Sequence, residues 1–206
     1  MSIRSLKKFI VRKINAEIPQ NLSYHGVHHT LDVLEACNNL IKRMKVNKSD
    51  AHLIRTAALL HDIGIMWTYI NHEEYGIEYV KDLLPSWGYT GEDILAICNM
   101  IKATQIPQNP QNLLEMILCD ADLDYLGTAN FYTIGDTLFR EFIEYKVVTN
   151  EEDWDKLQVK FLKSHHYHTP YSKKHREPLK NKYLLEIIDK WSWYDEFGIS
   201  RQNLKK

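Results

Sequence analysis

Four short polar stretches interrupt an apolar sequence, and each offers groups that bind ions or move protons. In YHGVHHTLDV, residues 24–33, His25 and His29 stand one helical turn apart and can face one cavity if the helix starts early enough, with His28 pointing elsewhere. In AALLHDIGI, residues 57–65, four apolar residues lead directly into His61 and Asp62. In ILCDADLDYLG, residues 117–127, Asp120 and Asp122 follow an apolar run, and NHEEYG adds His72. Ionisable groups in such settings are costly unless hydrogen bonds or an ion pair with them. Imidazoles and carboxylates gathered from three helices suit a borderline or hard divalent cation, which makes buried carboxylates tolerable. A ligand set without cysteine argues against a closed structural zinc site. Taken singly, each piece has an ordinary reading: a hydrogen-bonded histidine, a chance dipeptide, a solvated turn. The combination and order, His then His-Asp then a distal Asp, is what points to a metal centre.

The elements that must position these residues are helical almost throughout. Leu6, Phe9, Ile10, Ile14 and Ile18 form one stripe that Pro19 stops. A second helix is expected from about His28 to Met44, and a third over 51–62, capped by Ser49-Asp50 and ended by Gly64. Asn71 is expected to cap a fourth that Pro85 and Gly88 end. A fifth covers 91–103, and a sixth runs over 112–126 until Gly127. Three more are expected over 129–148, over 151–167 with Asn150 at its start, and over 177–197. No alternating pattern is long enough for a sheet, and no repeat or flexible linker divides the chain. The expectation is an all-α, single compact domain spanning 1–206.

Composition sets the outer bounds. The 206 residues are 44% hydrophobic and 26% charged, ordinary globular values for a chain able to bury a sizeable core. A formal net charge of -1 gives no general pull toward nucleic acid or acidic lipid. Cys37, Cys98 and Cys119 are odd in number and widely spaced, so they read as small core residues in a reducing compartment. The opening MSIRSLKKFIVRK is too interrupted by charge for a signal peptide, and no apolar run approaches membrane-spanning length. A soluble, cytoplasmic protein is expected, with no membrane partner, a nucleic-acid partner disfavoured and homo-oligomerisation open.

The order His29, His61-Asp62, Asp122 resembles the HD-domain superfamily of metal-dependent phosphohydrolases, with LLHDIG its most recognisable string. ILCDADLDYLG is similar to a segment common in the smaller bacterial members, and the likeness covers about residues 20–130. The resemblance implies an all-helical core holding one or two divalent ions (Mn, Fe, Mg, Co, Ni or Zn). It makes His29, His61, Asp62 and Asp122 the ligands, with Asp122 preferred over Asp120 because Ala121-Asp122-Leu123 matches the family's shorter motifs. Tyr24-His25-x-x-x-His29-Thr30 resembles a signature of cyclic-nucleotide phosphodiesterases, which implies His25 as general acid. Gly26 departs from the asparagine usual there, and a helix cap or surface histidine is the competing reading of His25.

The substrate so implied is a nucleotide or other small phosphorylated metabolite. The alternative is a catalytically weak nucleotide-binding or regulatory module. Asp62 would hold the ion and take the proton from a water whose pKa the ion lowers. His72, Asp120 and Lys102 are candidates for a second ion or a phosphate contact. The position where a further histidine is expected holds Thr104. A last candidate is residues 161–180, where His165, His166, His168, Lys173, Lys174, His175 and Arg176 concentrate. That segment reads either as a phosphate clamp over the metal or as a solvated connection bracketed by Pro170 and Pro178, with the connection favoured.

Overall fold

A computed structural model describes residues 2–19 and 21–199. Ten helices follow in order: α1 Ile3–Glu17, α2 Val27–Arg43, α3 Lys48–Leu60, α4 His72–Leu83, α5 Gly91–Ala103, α6 Leu113–Asp122, α7 Phe131–Glu144, α8 Glu151–Ser164, α9 Pro170–His175 and α10 Glu177–Trp191. Short 3-10 turns cover 63–66, 84–87 and 124–127, and no strand forms among the described residues.

Two apolar clusters organise these helices. The first, largely aliphatic, gathers α1 to α6: Leu6, Ile10 and Ile14 of α1 meet Leu40, Ile54, Leu60, Ile97 and Leu118. The second gathers the C-terminal helices around Phe131, Val159, Leu162, Leu184 and Ile188, joined by Tyr24, Leu123 and Tyr125. The two meet at the end of α6, where Ala121 belongs to the first, Leu123 to the second, and Asp122 stands between them. Polar ties hold the halves together. Arg176 grips both oxygens of Asp124 at 2.7 and 3.1 Å, and the Tyr167 hydroxyl donates to the Leu123 carbonyl at 3.0 Å. At Gly127 the two backbones touch: a Cβ there would lie 2.5 Å from the Arg176 carbonyl oxygen.

Several expected boundaries move, each for a local reason. Asn47, not Ser49-Asp50, caps α3, its side chain accepting from Asp50 N at 2.9 Å. The helix stops at Leu60, short of Gly64. Asn71 does precede α4, but with φ at 55° and without a side-chain capping bond. The sixth helix ends at Asp122, and residues 124–127 tighten into a 3-10 turn. Residues 170–175, expected to be irregular, form α9: Thr169 accepts from Ser172 N, and Pro170 takes the first turn, where no amide hydrogen is needed. Cys37, Cys98 and Cys119 are buried free thiols. Among the described residues no helix is long and apolar enough to cross a membrane.

Candidate metal centre and its cavity

Three helix ends converge to make a donor cluster. The first turns of α2 carry His29, the end of α3 runs into His61 and Asp62, and the last residue of α6 is Asp122. His29 Nε2 lies 3.1 Å from Asp122 Oδ1 and 3.2 Å from Asp62 Oδ2. His61 Nε2 lies 3.1 Å from Asp62 Oδ2, 3.4 Å from Asp122 Oδ1 and 3.2 Å from His29 Nε2. The other nitrogen of His61, Nδ1, donates to the Ala58 carbonyl at 3.0 Å, so the lone pair of Nε2 faces the cluster. A fifth group stands beside them. His72 Nε2 lies 3.2 Å from Asp62 Oδ1, while its Nδ1 donates to the Tyr69 carbonyl at 3.3 Å.

Local backbone geometry explains how His72 reaches Asp62. After His61 the chain enters the 63–66 turn and passes against the start of α4. A Cβ on Gly64 would lie 1.9 Å from the His72 carbonyl oxygen and 2.6 Å from Gly76 N. Only glycine permits that approach, so the glycine of LLHDIG sets the distance between the two backbones.

The electrostatics suit a cation. Burial opposes charge on every member, yet mutual contacts prevail. Hydrogen bonds donated to Asp122 and Asp62 raise the pKa of His29, and the charge of Asp62 lifts His61 well above the ordinary imidazole range. His72 is pushed up to about 9, mainly by its hydrogen bond with Asp62. The imidazoles in turn hold Asp62 well below the carboxylate range and bring Asp122 down to about 2. A cluster that keeps its carboxylates ionised and draws positive charge inward fits a divalent ion, which would take the place of the imidazole protons. His29, His61, Asp62 and Asp122 offer donor atoms all within 4.8 Å of one another, and His25, Asp62 and His72 form a second such set sharing Asp62.

His25 arrives by a different route from the one its spacing suggests. Gly26 is the N-cap of α2, so His25 lies before the helix. Glu141, a fully buried carboxylate on α7, places it instead. Glu141 accepts hydrogen bonds from Tyr24 N at 2.9 Å, from His25 N at 3.0 Å, from the Tyr69 hydroxyl at 3.0 Å, and closely from His25 Nδ1. Burial alone would favour the neutral acid, but the bonds from His25 and the backbone lower its pKa. Sequence reasoning missed Glu141. The available signal was its position on the inward stripe of α7, in step with Phe131, Ile134 and Leu138.

Residues 26–124 match the HD domain family. This segment is an HD domain. Two solved structures share the fold: a predicted HD superfamily hydrolase from an uncultured Thermotogales bacterium, with 21% identity over 93% of this chain and 97% of that one at a TM-score of 0.60, and a Lactobacillus plantarum protein, with 17% identity over 92% and 96% at 0.63. No curated protein matches the sequence significantly.

The HD domain supplies the four donors and His72, whereas His25 and Glu141 lie outside the matched residues. Other expected contributors stand apart from the cluster. Asp120 is completely buried, and its oxygens accept from His168 N at 2.7 Å, Thr169 N at 2.8 Å and Thr169 Oγ1 at 2.6 Å, so it anchors the segment before α9. Lys102 is exposed on α5 and lines no cavity of the site. Within 161–180, Lys173, Lys174 and His175 are exposed, Arg176 holds Asp124, and buried Lys180 holds Glu177 and the His165 carbonyl. The segment is a bolted connection, not a clamp over the cluster.

Two cavities adjoin the HD-domain cluster and share Tyr24, His29, Asp122 and Tyr125. One, of about 400 Å³, is bordered by His28, Asp32, Glu35 and Asp124 among others. The other, of about 360 Å³, opens on His25, His29, Asp62, His72 and Asp122 and extends between α7 and α8.

Proposed function

We propose that this protein is a divalent-metal-dependent hydrolase of phosphate esters, acting on a nucleotide or another small phosphorylated metabolite. The observation that carries the reading is the His25–Glu141 pair set beside a four-donor cluster, because holding an ion needs no such pair. The HD-domain match supports the metal and hydrolase parts.

His29, His61, Asp62 and Asp122 would hold the ion. When bound, it supplies Lewis-acid polarisation of a phosphoryl oxygen and a more acidic water. The chain's own residues do the rest. Asp62 Oδ1, on the side facing His72, accepts the proton released as water oxygen bonds to phosphorus. As the bond from phosphorus to the leaving oxygen breaks, His25 Nε2 delivers a proton to that oxygen. Glu141 accepts the Nδ1 hydrogen and fixes the ring plane and tautomer, as a carboxylate does behind a catalytic imidazole. A second ion on His25, Asp62 and His72 would be held more weakly, since it shares the Asp62 carboxylate with the first, and it would occupy the His25 Nε2 needed for proton delivery. The three buried, unpaired cysteines support a reducing compartment, the cytoplasm.

The test is turnover of a panel of phosphate mono- and diesters by purified protein supplied with Mn²⁺, Mg²⁺, Fe²⁺, Co²⁺ or Ni²⁺ in turn, paired with elemental analysis. Ion-dependent hydrolysis is expected. Bound metal with every ester inert would instead identify a binding or regulatory module.

A further inference from the structure

The cavity between α7 and α8 carries information about the substrate that the donor cluster does not. Its far wall is built from Leu138, Phe142, Trp154, Leu157, Phe161 and Leu162. Among the described residues no lysine or arginine lines it, and its charged groups are the carboxylates and imidazoles at the cluster end. The polar side chains elsewhere in it are few. Thr104 already donates to the Ile101 carbonyl at 2.7 Å, which leaves the Gln158 amide as the main hydrogen-bonding group of the deep wall.

We infer that the organic part of the substrate is an apolar aryl or alkyl group bearing a single phosphate, bound with that group between α7 and α8. The inference rests on the phosphoester reading above and narrows it. One phosphate can be neutralised at the ion cluster. A second or third would lie among leucines and aromatic rings with no guanidinium or ammonium to meet it, and an unpaired buried charge is strongly disfavoured. The cations that could have served are spent elsewhere, Arg176 on Asp124 and Lys180 on Glu177. The neighbouring cavity offers no refuge, because Asp32 and Glu35 border it and, among the described residues, no lysine or arginine does. An aryl or alkyl group, by contrast, gains by leaving water for this wall.

The experiment compares kcat/KM of the metal-loaded full chain for methyl, butyl, hexyl and octyl phosphate, 1-naphthyl phosphate, AMP and ATP. Specificity should rise by about an order of magnitude for each two methylenes until the cavity fills. Octyl and naphthyl phosphate should exceed AMP at least ten-fold and ATP at least a hundred-fold. Leu157→Lys, at a partly exposed position that tolerates a long side chain, should cut octyl phosphate turnover at least ten-fold and raise that of ATP. A flat or falling series, or AMP or ATP as the best substrate, overturns the inference. A second readout needs no turnover: 1-naphthol titrated calorimetrically into chelated protein should bind the wild type and not Leu157→Lys. If every ester is inert with every ion, the phosphoester reading falls, and the naphthol titration alone decides whether the cavity takes an apolar guest. Absence of naphthol binding overturns that part too.

Discussion

The donor cluster and the His25–Glu141 pair sit side by side, yet the chain builds them in opposite ways. The cluster draws on helix ends between residues 29 and 122, and backbone carbonyls of Ala58 and Tyr69 aim His61 and the adjoining His72. The pair joins residues 116 apart in sequence, and a buried carboxylate seizes the backbone as well as the ring. The donor cluster is thus written in short local motifs. The His25–Glu141 pair is completed by an amphipathic helix from the other half of the molecule, outside the HD-domain match. If the two regions are separable in function as well as in construction, their variants should fail differently.

The largest effect belongs to the cluster. Asp62→Ala, which removes the carboxylate shared by both donor sets, should abolish ion binding and lower turnover on the order of 10³-fold or more while leaving helical circular dichroism nearly unchanged. Full metal occupancy in this variant would remove the cluster from consideration. Next comes the pair. His25→Ala should keep its metal and lose about 10²–10⁴ in turnover of alkyl phosphates, but lose little on nitrophenyl esters, whose leaving group needs no proton. Glu141→Gln should follow the same substrate pattern with a smaller loss of about 10–100-fold, because it orients the ring without supplying the proton. Equal losses on both ester types would make His25 a structural or binding group and erase the contrast.

Smaller effects sharpen the comparison within α6. Asp122→Asn should weaken ion binding, whereas Asp120→Asn should retain the ion and instead lose stability of about 1.5–3 kcal/mol for each charge-assisted bond weakened, read from urea unfolding. A reversal of the two would relocate the centre by half a helical turn.

The smallest effect lies in the C-terminal half. His165 is buried, its Nε2 has no hydrogen-bond partner among the described residues, and burial together with the nearby Lys180 charge lowers its pKa to about 3. Between about pH 6.5 and 3 the unfolded chain therefore binds a proton that the folded chain refuses, so stability falls as pH falls through that window. The slope is at most about 1.4 kcal/mol per pH unit. His165→Asn should flatten the pH dependence of the unfolding midpoint measured in chelated protein; an unchanged slope would show that His165 titrates normally.

How much of this was legible follows from the range of each signal. The helix order could be read because apolar periodicity is local, and the structure brings His29, His61, Asp62 and Asp122 together from motifs no longer than eleven residues. Asp120 and Asp122 differ only in which way α6 turns them, and that depends on what packs against its end. Lys102 was misplaced because one turn of helix separates a cavity wall from solvent. The inward stripe of α7 marks Glu141 as buried, but its contact with His25, like the apolar wall, is set by tertiary packing that the sequence pattern does not carry. The cap at Asn47 was missed because two good cappers, Ser49 and Asp50, stand just beyond it.

At Gly64 and Gly76 two stretches of backbone press together with no layer of side chains between them. Side chains can hop between rotamers and so let neighbouring segments slide; bare peptide planes in contact have no such freedom. Asp62 and His72 are therefore carried on what amounts to a single rigid plate. Breathing that admits a guest must come from the opposite wall, where α7 and α8 meet the cavity through rotatable leucines and aromatic rings. The fold thus joins a fixed jaw, which keeps its charges in register, to a compliant one lined by rotatable side chains.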